Sequence, residues 1–181
     1  MAAPQALHFT TDDESNRLIA SHPFALLIGF ALDQQVTVPT AFAGPLKLKQ
    51  RLGTLDPKRV ARADLEPLFR EKPAIHRFPG AMAQRVQDLA QHVVDEYGGD
   101  ASRVWRDAKD SDDLKRRLEA LPGFGELKVK SMGAVLANRF GVAKAKPLVP
   151  DHPTLGDVDS AEALGRYQEA KRARKASMRS R

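Results

Sequence analysis

Hydrophobic residues recur at helical spacing along most of this chain. In the longest such stretch, from Pro79 to Tyr97, the apolar positions 82, 86, 89, 90 and 93 fall on one face of a helix. Pro79 suits a first helical turn, and the pair Gly98 and Gly99 is a stop signal. Runs that alternate apolar and polar residues, as half-buried strands do, are rare. The pattern therefore predicts an all-α protein.

The same spacing predicts many short helices instead of one long bundle. Pro45 lies inside one of them and predicts a kink or a break there. Residues 147–156 contain three prolines and are expected to be irregular. Acidic residues, prolines and glycines mark the expected helices at residues 12–20, 23–32, 39–52, 56 onward, 64–70, 79–97, 100–107, 112–120, 126–140 and 161–170.

Two of the predicted helices are joined by a five-residue turn, Leu121-Pro122-Gly123-Phe124-Gly125. A turn this short needs positive-φ residues, and glycine adopts that conformation without a steric penalty. Gly125 also leaves the backbone N–H groups at the start of the second helix without a side-chain cap. Such a helix end can bind an anion, and phosphate is the obvious one. From the turn alone, a phosphate site and an ordinary helix–turn–helix corner are equally good interpretations.

Composition narrows the chemistry. The chain has 181 residues, of which 42% are hydrophobic and 29% charged, as in an ordinary soluble domain. It has no cysteine, which excludes disulfides, thiolate nucleophiles and a cysteine-ligated iron–sulfur cluster. The five histidines show no metal-ligand spacing, so we expect no metal site. No apolar run is long enough to cross a membrane and no signal pattern begins the chain, so we expect a cytoplasmic protein.

The net charge of +6 is concentrated at the C-terminal end. Residues 160–181 hold seven Lys or Arg and two Asp or Glu, a net of +5, which leaves +1 for the other 159 residues. We therefore expect a helical domain at residues 1–159, with the hairpin at 112–140, followed by a basic C-terminal helix and tail at 160–181. The segment 171–175 is expected to be too basic to pack against the domain. We expect the tail to attract a polyanion by charge alone, without recognising the sequence of a nucleic acid.

Three polar segments are candidates for chemistry. Gln34 and Gln35 follow an apolar helix, and a paired amide there suits the gap left by an extruded nucleotide, although a solvated helix end is favoured on local grounds. Lys128 and Lys130 follow the hairpin turn and do not share a face, so one can reach a phosphate while the other covers the surface. Asp151 lies in a rigid proline-rich loop that suits a precisely placed carboxylate, but local grounds favour a helix N-cap.

In this order, the segments resemble the helix-hairpin-helix (HhH-GPD) superfamily of base-excision DNA repair glycosylases. The resemblance covers roughly residues 23–152. The segments that carry it are Ala31-Leu32-Asp33-Gln34-Gln35, the basic turn and long helix at 77–99, the Leu-Pro-Gly-x-Gly hairpin at 121–125, and the proline-bound aspartate loop at 144–152. The hairpin is the most specific of them.

The resemblance implies a multi-helix glycosylase-like fold that acts on double-stranded DNA containing a damaged base. A DNA phosphate would be held by the hairpin residues Gly123, Phe124 and Gly125. A monovalent cation would bind opposite the phosphate, and no other cofactor is expected. Gln35, beside Gln34, would fill the space of the flipped nucleotide. Asp151 would act as the catalytic carboxylate. A monomer associated with the nucleoid is expected.

The chain departs from the family pattern at two points. Leu127 stands where lyase-active members have a lysine, with Lys128 one place later, so a monofunctional enzyme is expected. The interval from Gly125 to Asp151 is longer than usual, which leaves Asp157 and Asp159 as reserves for the catalytic role. Two alternatives remain: a non-catalytic helix-hairpin-helix DNA-binding protein, and a helical protein–protein adaptor.

Overall fold

The computed structural model describes residues 3–180, and all regular secondary structure in that range is helical. The predicted all-α class is confirmed. Two 3-10 helices, Ala143–Leu148 and Leu155–Asp157, follow the hairpin. The α-helices are α1 Asp13–Ser21, α2 Pro23–Leu32, α3 Val38–Leu52, α4 Pro57–Arg62, α5 Glu66–Arg70, α6 Pro79–Tyr97, α7 Arg103–Arg106, α8 Ser111–Glu119, α9 Glu126–Asn138 and α10 Ala161–Arg179.

Local sequence signals set most helix boundaries. The Thr37 side chain caps α3 by accepting a hydrogen bond from the backbone N–H of Thr40 at 3.3 Å. Ser160 caps α10 in the same way through the N–H of Ala163 at 3.0 Å. Gly53 ends α3 in the left-handed conformation that glycine adopts most easily. These signals lie within a few residues of the ends they determine, which is why the predicted helices occur close to the expected places.

Helix α2 forms the centre of the hydrophobic core. Nine of its ten residues are buried, and it packs against α1, α3 and α6. The ring of Phe30 meets the ring of Phe42 from α3 edge-on, with 5.2 Å between centroids. A Cβ on Gly29 would lie 2.3 Å from the Phe42 ring, so α2 and α3 approach too closely for any side chain there. This packing fixes the carboxyl end of α2, and with it the start of the polar loop that follows.

Of the two outcomes expected at Pro45, a kink or a break, the break is wrong, because α3 continues through this residue. Gly44, Pro45 and Leu46 are all buried. A Cβ on Gly44 would lie 2.5 Å from Leu32, so α3 rests closely on α2 at this point. Burial of this segment compensates for the hydrogen bond that the proline nitrogen cannot donate.

The expected end of the last helix near residue 170 is also wrong. Helix α10 extends to Arg179, through the segment that appeared too basic to pack. Its sequence is rich in Ala, Lys, Arg, Gln and Glu, which favour helix even without burial. Tyr167 is half-buried and packs against the core, and the Lys171 ammonium lies 6.0 Å from its ring centroid. The basic segment therefore continues the helix, although residues 172–179 are exposed and do not pack against the core.

Smaller differences concern helix lengths. The helix expected at residues 100–107 covers only Arg103–Arg106, and the second hairpin helix ends at Asn138 instead of residue 140. The region 149–154 is irregular, as expected from its prolines, but 3-10 helices flank it. Within residues 3–180, no helix combines the length and the apolar character that a membrane crossing requires.

Candidate nucleic-acid interface

The hairpin turn exposes Gly123 and Gly125 to solvent and buries the side chains of Leu121 and Phe124. Gly123 has a φ of 82° and is exposed, whereas Leu121 and Phe124 belong to the core. The Phe124 ring lies 6.4 Å from that of Phe30, and its N–H donates to the carbonyl of Leu121 at 3.1 Å. Of the three hairpin residues predicted to contact DNA, Gly123 and Gly125 are therefore at the surface, while Phe124 anchors the turn.

Helix α9 begins without a side-chain cap. Gly125 is its N-cap residue, and a Cβ there would meet nothing within 4 Å. Gly125, Glu126 and Leu127 are all exposed. The first N–H groups of a helix have no partner within the helix, so these donors face solvent together with the positive end of the helix dipole. The turn therefore has the open geometry that an anion such as phosphate needs.

The second polar segment is the loop of residues 33–37, which we call the Gln loop. Gln35 is exposed and has a φ of 57°, a conformation that few non-glycine residues adopt. The buried His76 supports this loop, because its Nε2 lies 3.1 Å from the carbonyl oxygens of both Leu32 and Gln34. Its Nδ1 accepts the N–H of Phe78 at 3.0 Å. A ring that accepts at Nδ1 and donates at Nε2 is neutral, and burial lowers the pKa of His76 accordingly.

Arg85 of α6 connects the Gln loop to the hairpin. Its guanidinium Nη1 donates to Oε1 of Gln34. A Cβ placed on Gly123 would lie 2.6 Å from Cδ of Arg85, so the arginine side chain rests directly on the hairpin turn. The two segments that the sequence singled out lie on either side of one arginine.

Lys128 makes the corresponding contact from α9. Its Nζ donates to the carbonyl oxygen of Ala31 at 3.2 Å, near the carboxyl end of α2. Burial, assisted by the charge of Arg85, lowers the pKa of Lys128 to about 8, against an opposing effect of Asp33. Burial also raises the pKa of the Asp33 carboxyl, although Lys171, Lys128 and Lys175 act in the other direction. Asp33 and Lys128 thus form a partly desolvated cluster where α2 meets the Gln loop.

The shifted pKa of Lys128 predicts a pH-dependent stability. Since the folded-state pKa of about 8 is below the ordinary 10.5, the folded protein binds fewer protons than the unfolded chain between these values. Stability therefore rises with pH in this window. We expect wild type to gain about 1 kcal/mol relative to Lys128→Met between pH 7 and 10, a value discounted for the partial exposure of the amine. Urea unfolding at several pH values measures the difference.

Lys130→Met is the matched control, since Lys130 lies at the surface of the same helix and pairs with Glu126 at 3.1 Å. Its pH profile should follow that of wild type. A Lys128→Met profile parallel to wild type over the whole window would contradict the desolvation of Lys128.

A groove of about 470 Å³ separates the Gln loop from α10. One wall contains residues 35–38 of the loop and the start of α3, together with Arg77. The other wall contains Gln168 and four of the basic residues in the last three turns of α10. In full, the lining residues are Gln35, Val36, Thr37, Val38, Arg77, Gln168, Lys171, Arg172, Lys175 and Arg179. Five of these residues are cationic and none is acidic.

The remaining predicted residues lie outside this cluster. Lys130 borders a different cavity, together with Lys115 and Leu148, and its ion pair with Glu126 faces away from Lys128. Asp151 is exposed in the irregular segment, and within residues 3–180 no hydrogen bond or ion pair ties it to the Gln loop or the hairpin. Asp157 caps the second 3-10 helix by accepting the N–H of Thr154 at 2.8 Å. Asp159 is exposed.

Three residues that organise the interface were not singled out from the sequence. Asp33 directly precedes the glutamines, but nothing in the local pattern indicates that its carboxyl is desolvated. His76 and Arg85 lie 42 and 51 residues from the loop that they support. The resemblance of the segment 77–99 to the family's basic turn and long helix was the only available signal near Arg85.

The side chains of the described residues give little support for a bound metal ion. In the part of the chain from 3 to 180, no group of three or more His, Cys, Asp or Glu side chains is arranged to hold a metal ion. A monovalent cation at the hairpin would have to use backbone carbonyls such as that of Leu121, which accepts the Phe124 N–H and retains a second lone pair. The cation stays a prediction, and no chemical step below depends on it.

No protein-family model, curated protein or solved structure matches the chain. The resemblance to the glycosylase superfamily accordingly rests on the quoted segments, and the functional argument rests on the geometry of this interface.

Proposed function

We propose that the protein binds duplex DNA through the hairpin and the Gln loop and releases a damaged base as a monofunctional N-glycosylase. One observation carries the proposal: Arg85 contacts both Gly123 and Gln34, so the predicted phosphate site and the predicted inserting glutamines form one continuous surface. Arg85 is partly buried, and its contacts join two segments that lie far apart in the sequence.

Phosphate binding is the first step. The uncapped N–H groups at the start of α9 hold a backbone oxygen and position the duplex without reading its sequence. Gln35 projects from a loop that His76 and Arg85 hold, and it is exposed beside the groove. A glutamine amide both donates and accepts, so Gln35 can enter the stack and pair with the base left without its partner.

Base release requires a carboxylate near the sugar. Asp151 is the predicted one, and its side chain is exposed. A carboxylate there stabilises the positive charge that develops on the sugar, or activates the attacking water. Asp33 offers a second carboxyl, already desolvated beside Lys128 and directly adjacent to Gln34. The products are a free base and an abasic site.

A monofunctional enzyme is favoured over a lyase by the arrangement of α9. Leu127, at the position of the family lysine, has 77% of its surface exposed. Lys128 is directed inward, and its amine is bonded to the Ala31 carbonyl. In this arrangement Lys128 joins the hairpin to α2 and does not reach toward a sugar carbon.

A non-catalytic DNA-binding protein is the second candidate. The exposure of Asp151 and its lack of a bonding partner within residues 3–180 favour this alternative, because no neighbouring group orients the carboxyl. The two candidates share the same DNA-binding surface and differ only in base release.

A panel of lesions tests the proposal. Duplexes containing uracil, alkylated or oxidised bases are incubated with the protein, and abasic sites are revealed by alkaline strand cleavage. We expect release from at least one lesion, and a rate reduction on the order of 10²-fold or more in Asp151→Asn with DNA affinity retained. Asp64→Asn, at an exposed aspartate in a different part of the chain, is the control and should retain the wild-type rate.

Other outcomes separate the alternatives. An unchanged rate in Asp151→Asn together with a large loss in Asp33→Asn would assign the chemistry to Asp33. Salt-dependent duplex binding without release from any lesion would leave the non-catalytic protein. No duplex affinity even at low salt would favour the adaptor and refute both DNA proposals.

A further inference from the structure

The groove beside the Gln loop is lined by cations that form no ion pair among the described residues. Within residues 3–180, no carboxylate lies within ion-pair distance of Arg77 or of the four cationic groove residues of α10. By contrast, the basic residues of α7 and α8 are paired, as Arg103 with Asp107 at 2.7 Å and Arg117 with Asp113 at 3.1 Å. Other Lys and Arg residues among those described, such as Lys58 and Arg62, also lack an ion pair, so the groove is distinguished by the five unpaired cations that line one cavity without a carboxylate.

These cations form a regular row. Lys171, Lys175 and Arg179 follow each other at intervals of four residues on α10, so neighbouring members are separated by about 6 Å along the helix axis. Successive phosphates of an extended nucleic-acid strand have a similar separation. Arg77 stands on the opposite wall, where its guanidinium lies 3.5 Å from the Gln35 carbonyl. A strand lying in the groove would have cations on both sides.

The dimensions and the polar lining favour a single strand over a whole duplex. A groove of about 470 Å³ has the scale of a single nucleotide unit of one strand and cannot enclose a double helix. Gln35, Thr37 and Gln168 add amide and hydroxyl groups that can bond to sugar or phosphate oxygens. The groove also begins at Gln35, the residue proposed to enter the duplex, so a strand leaving that point would pass directly into it.

We propose that the groove between the Gln loop and α10 binds one sugar–phosphate strand of the DNA held at the hairpin. This inference rests on the proposed DNA-binding function and extends it. The hairpin holds one phosphate group, and α10 guides the strand away from the point where Gln35 is inserted. The C-terminal basic helix is then a structured strand guide and not a general electrostatic tail.

Two paired substitutions on α10 test the proposal. Lys175→Gln with Arg179→Gln removes two charges from the groove, and Arg166→Gln with Arg174→Gln removes two charges from the same helix outside the groove lining. All four residues are exposed, and glutamine has a helix propensity close to that of Lys and Arg, so both proteins should fold normally. Circular dichroism verifies the helix content.

Fluorescence anisotropy measures the binding of a duplex and of a single-stranded oligonucleotide at several salt concentrations. For the groove pair we expect roughly tenfold weaker binding of both DNAs. The slope of log K against log salt should fall in magnitude by about 1.4 to 1.8, the value for two lost phosphate contacts. The control pair should change the affinity by less than about threefold and the slope by less than half as much.

Each outcome of these measurements supports or contradicts the strand-groove proposal. Equal effects of the two pairs would show that only overall charge counts and would overturn the groove proposal, while leaving hairpin binding and base release intact. A distinct effect of the groove pair without base release by wild type would uphold the strand groove and refute the glycosylase. If wild type binds neither DNA at low salt, both proposals fail.

Discussion

Replacement of Gly125 by aspartate is expected to stabilise the protein and at the same time to weaken its binding to DNA. Gly125 has a φ of −83° and a ψ of −178°, which any residue can adopt, and a Cβ there meets no atom within 4 Å. Aspartate is among the best N-cap residues, because its carboxylate accepts N–H groups that are bare in the wild type. We expect a gain of about 0.5–1 kcal/mol in the free energy of unfolding.

The effect on DNA has the opposite sign. The new carboxylate would occupy the donors that the proposed phosphate needs and would repel the phosphate itself. We expect the affinity for duplex DNA to fall at least tenfold, on the order of one lost charge-assisted contact together with the repulsion. Urea unfolding measures the stability and anisotropy titration measures the affinity.

Gln50→Glu is the control for charge. It introduces the same charge at an exposed position near the end of α3, roughly 18 Å along the axis from the start of that helix beside the Gln loop. Screening at physiological salt should limit its effect to less than twofold. A Gly125→Asp protein that is more stable and still binds DNA with wild-type affinity would refute the phosphate site at the hairpin.

The helices could be predicted from the sequence because the signals for them are local. The capping Thr37 and the terminal Gly53 of α3, and the terminal Gly98 of α6, lie directly at the ends they define. The two errors arose where other effects prevail. At Pro45 the close packing of α3 on α2 outweighs a lost hydrogen bond, and in α10 helix propensity outweighs the repulsion among basic residues.

Only part of the interface could be predicted from the sequence, because only local signals are recognisable there. The glycines of the hairpin and the pair Gln34–Gln35 are recognisable as local motifs. What joins them is contact between residues far apart in the chain: 51 residues separate Arg85 from Gln34, and 97 separate Lys128 from Ala31. Periodicity and spacing contain no information on such pairs. The desolvation of Asp33 and the groove along α10 depend on the same long-range packing.

A large loss of stability is also expected when Gly123 is replaced by alanine. The backbone conformation is strained for a residue with a Cβ, and the Arg85 side chain occupies the space that the Cβ needs. An alanine at a φ of 82° costs about 1 kcal/mol in backbone strain. Its Cβ would also lie 2.6 Å from Cδ and 2.8 Å from Nε of Arg85, so the arginine must move and release Gln34. We expect Gly123→Ala to cost about 2–3 kcal/mol in total, and to weaken duplex binding because the Gln loop loses its support.

The two contributions can be separated, because Gly53 has nearly the same backbone conformation without the neighbour. Its φ is 89°, and a Cβ there meets nothing within 4 Å, so Gly53→Ala should cost only the strain of about 1 kcal/mol. In an Arg85→Ala background the cost of Gly123→Ala should fall to the same value, whereas that of Gly53→Ala should not change. This double-mutant cycle gives a coupling of about 1–2 kcal/mol for Gly123 with Arg85 and none for Gly53. Equal coupling at both glycines would mean that Arg85 does not rest on the hairpin, and the physical link between the phosphate site and the inserting glutamines would be lost.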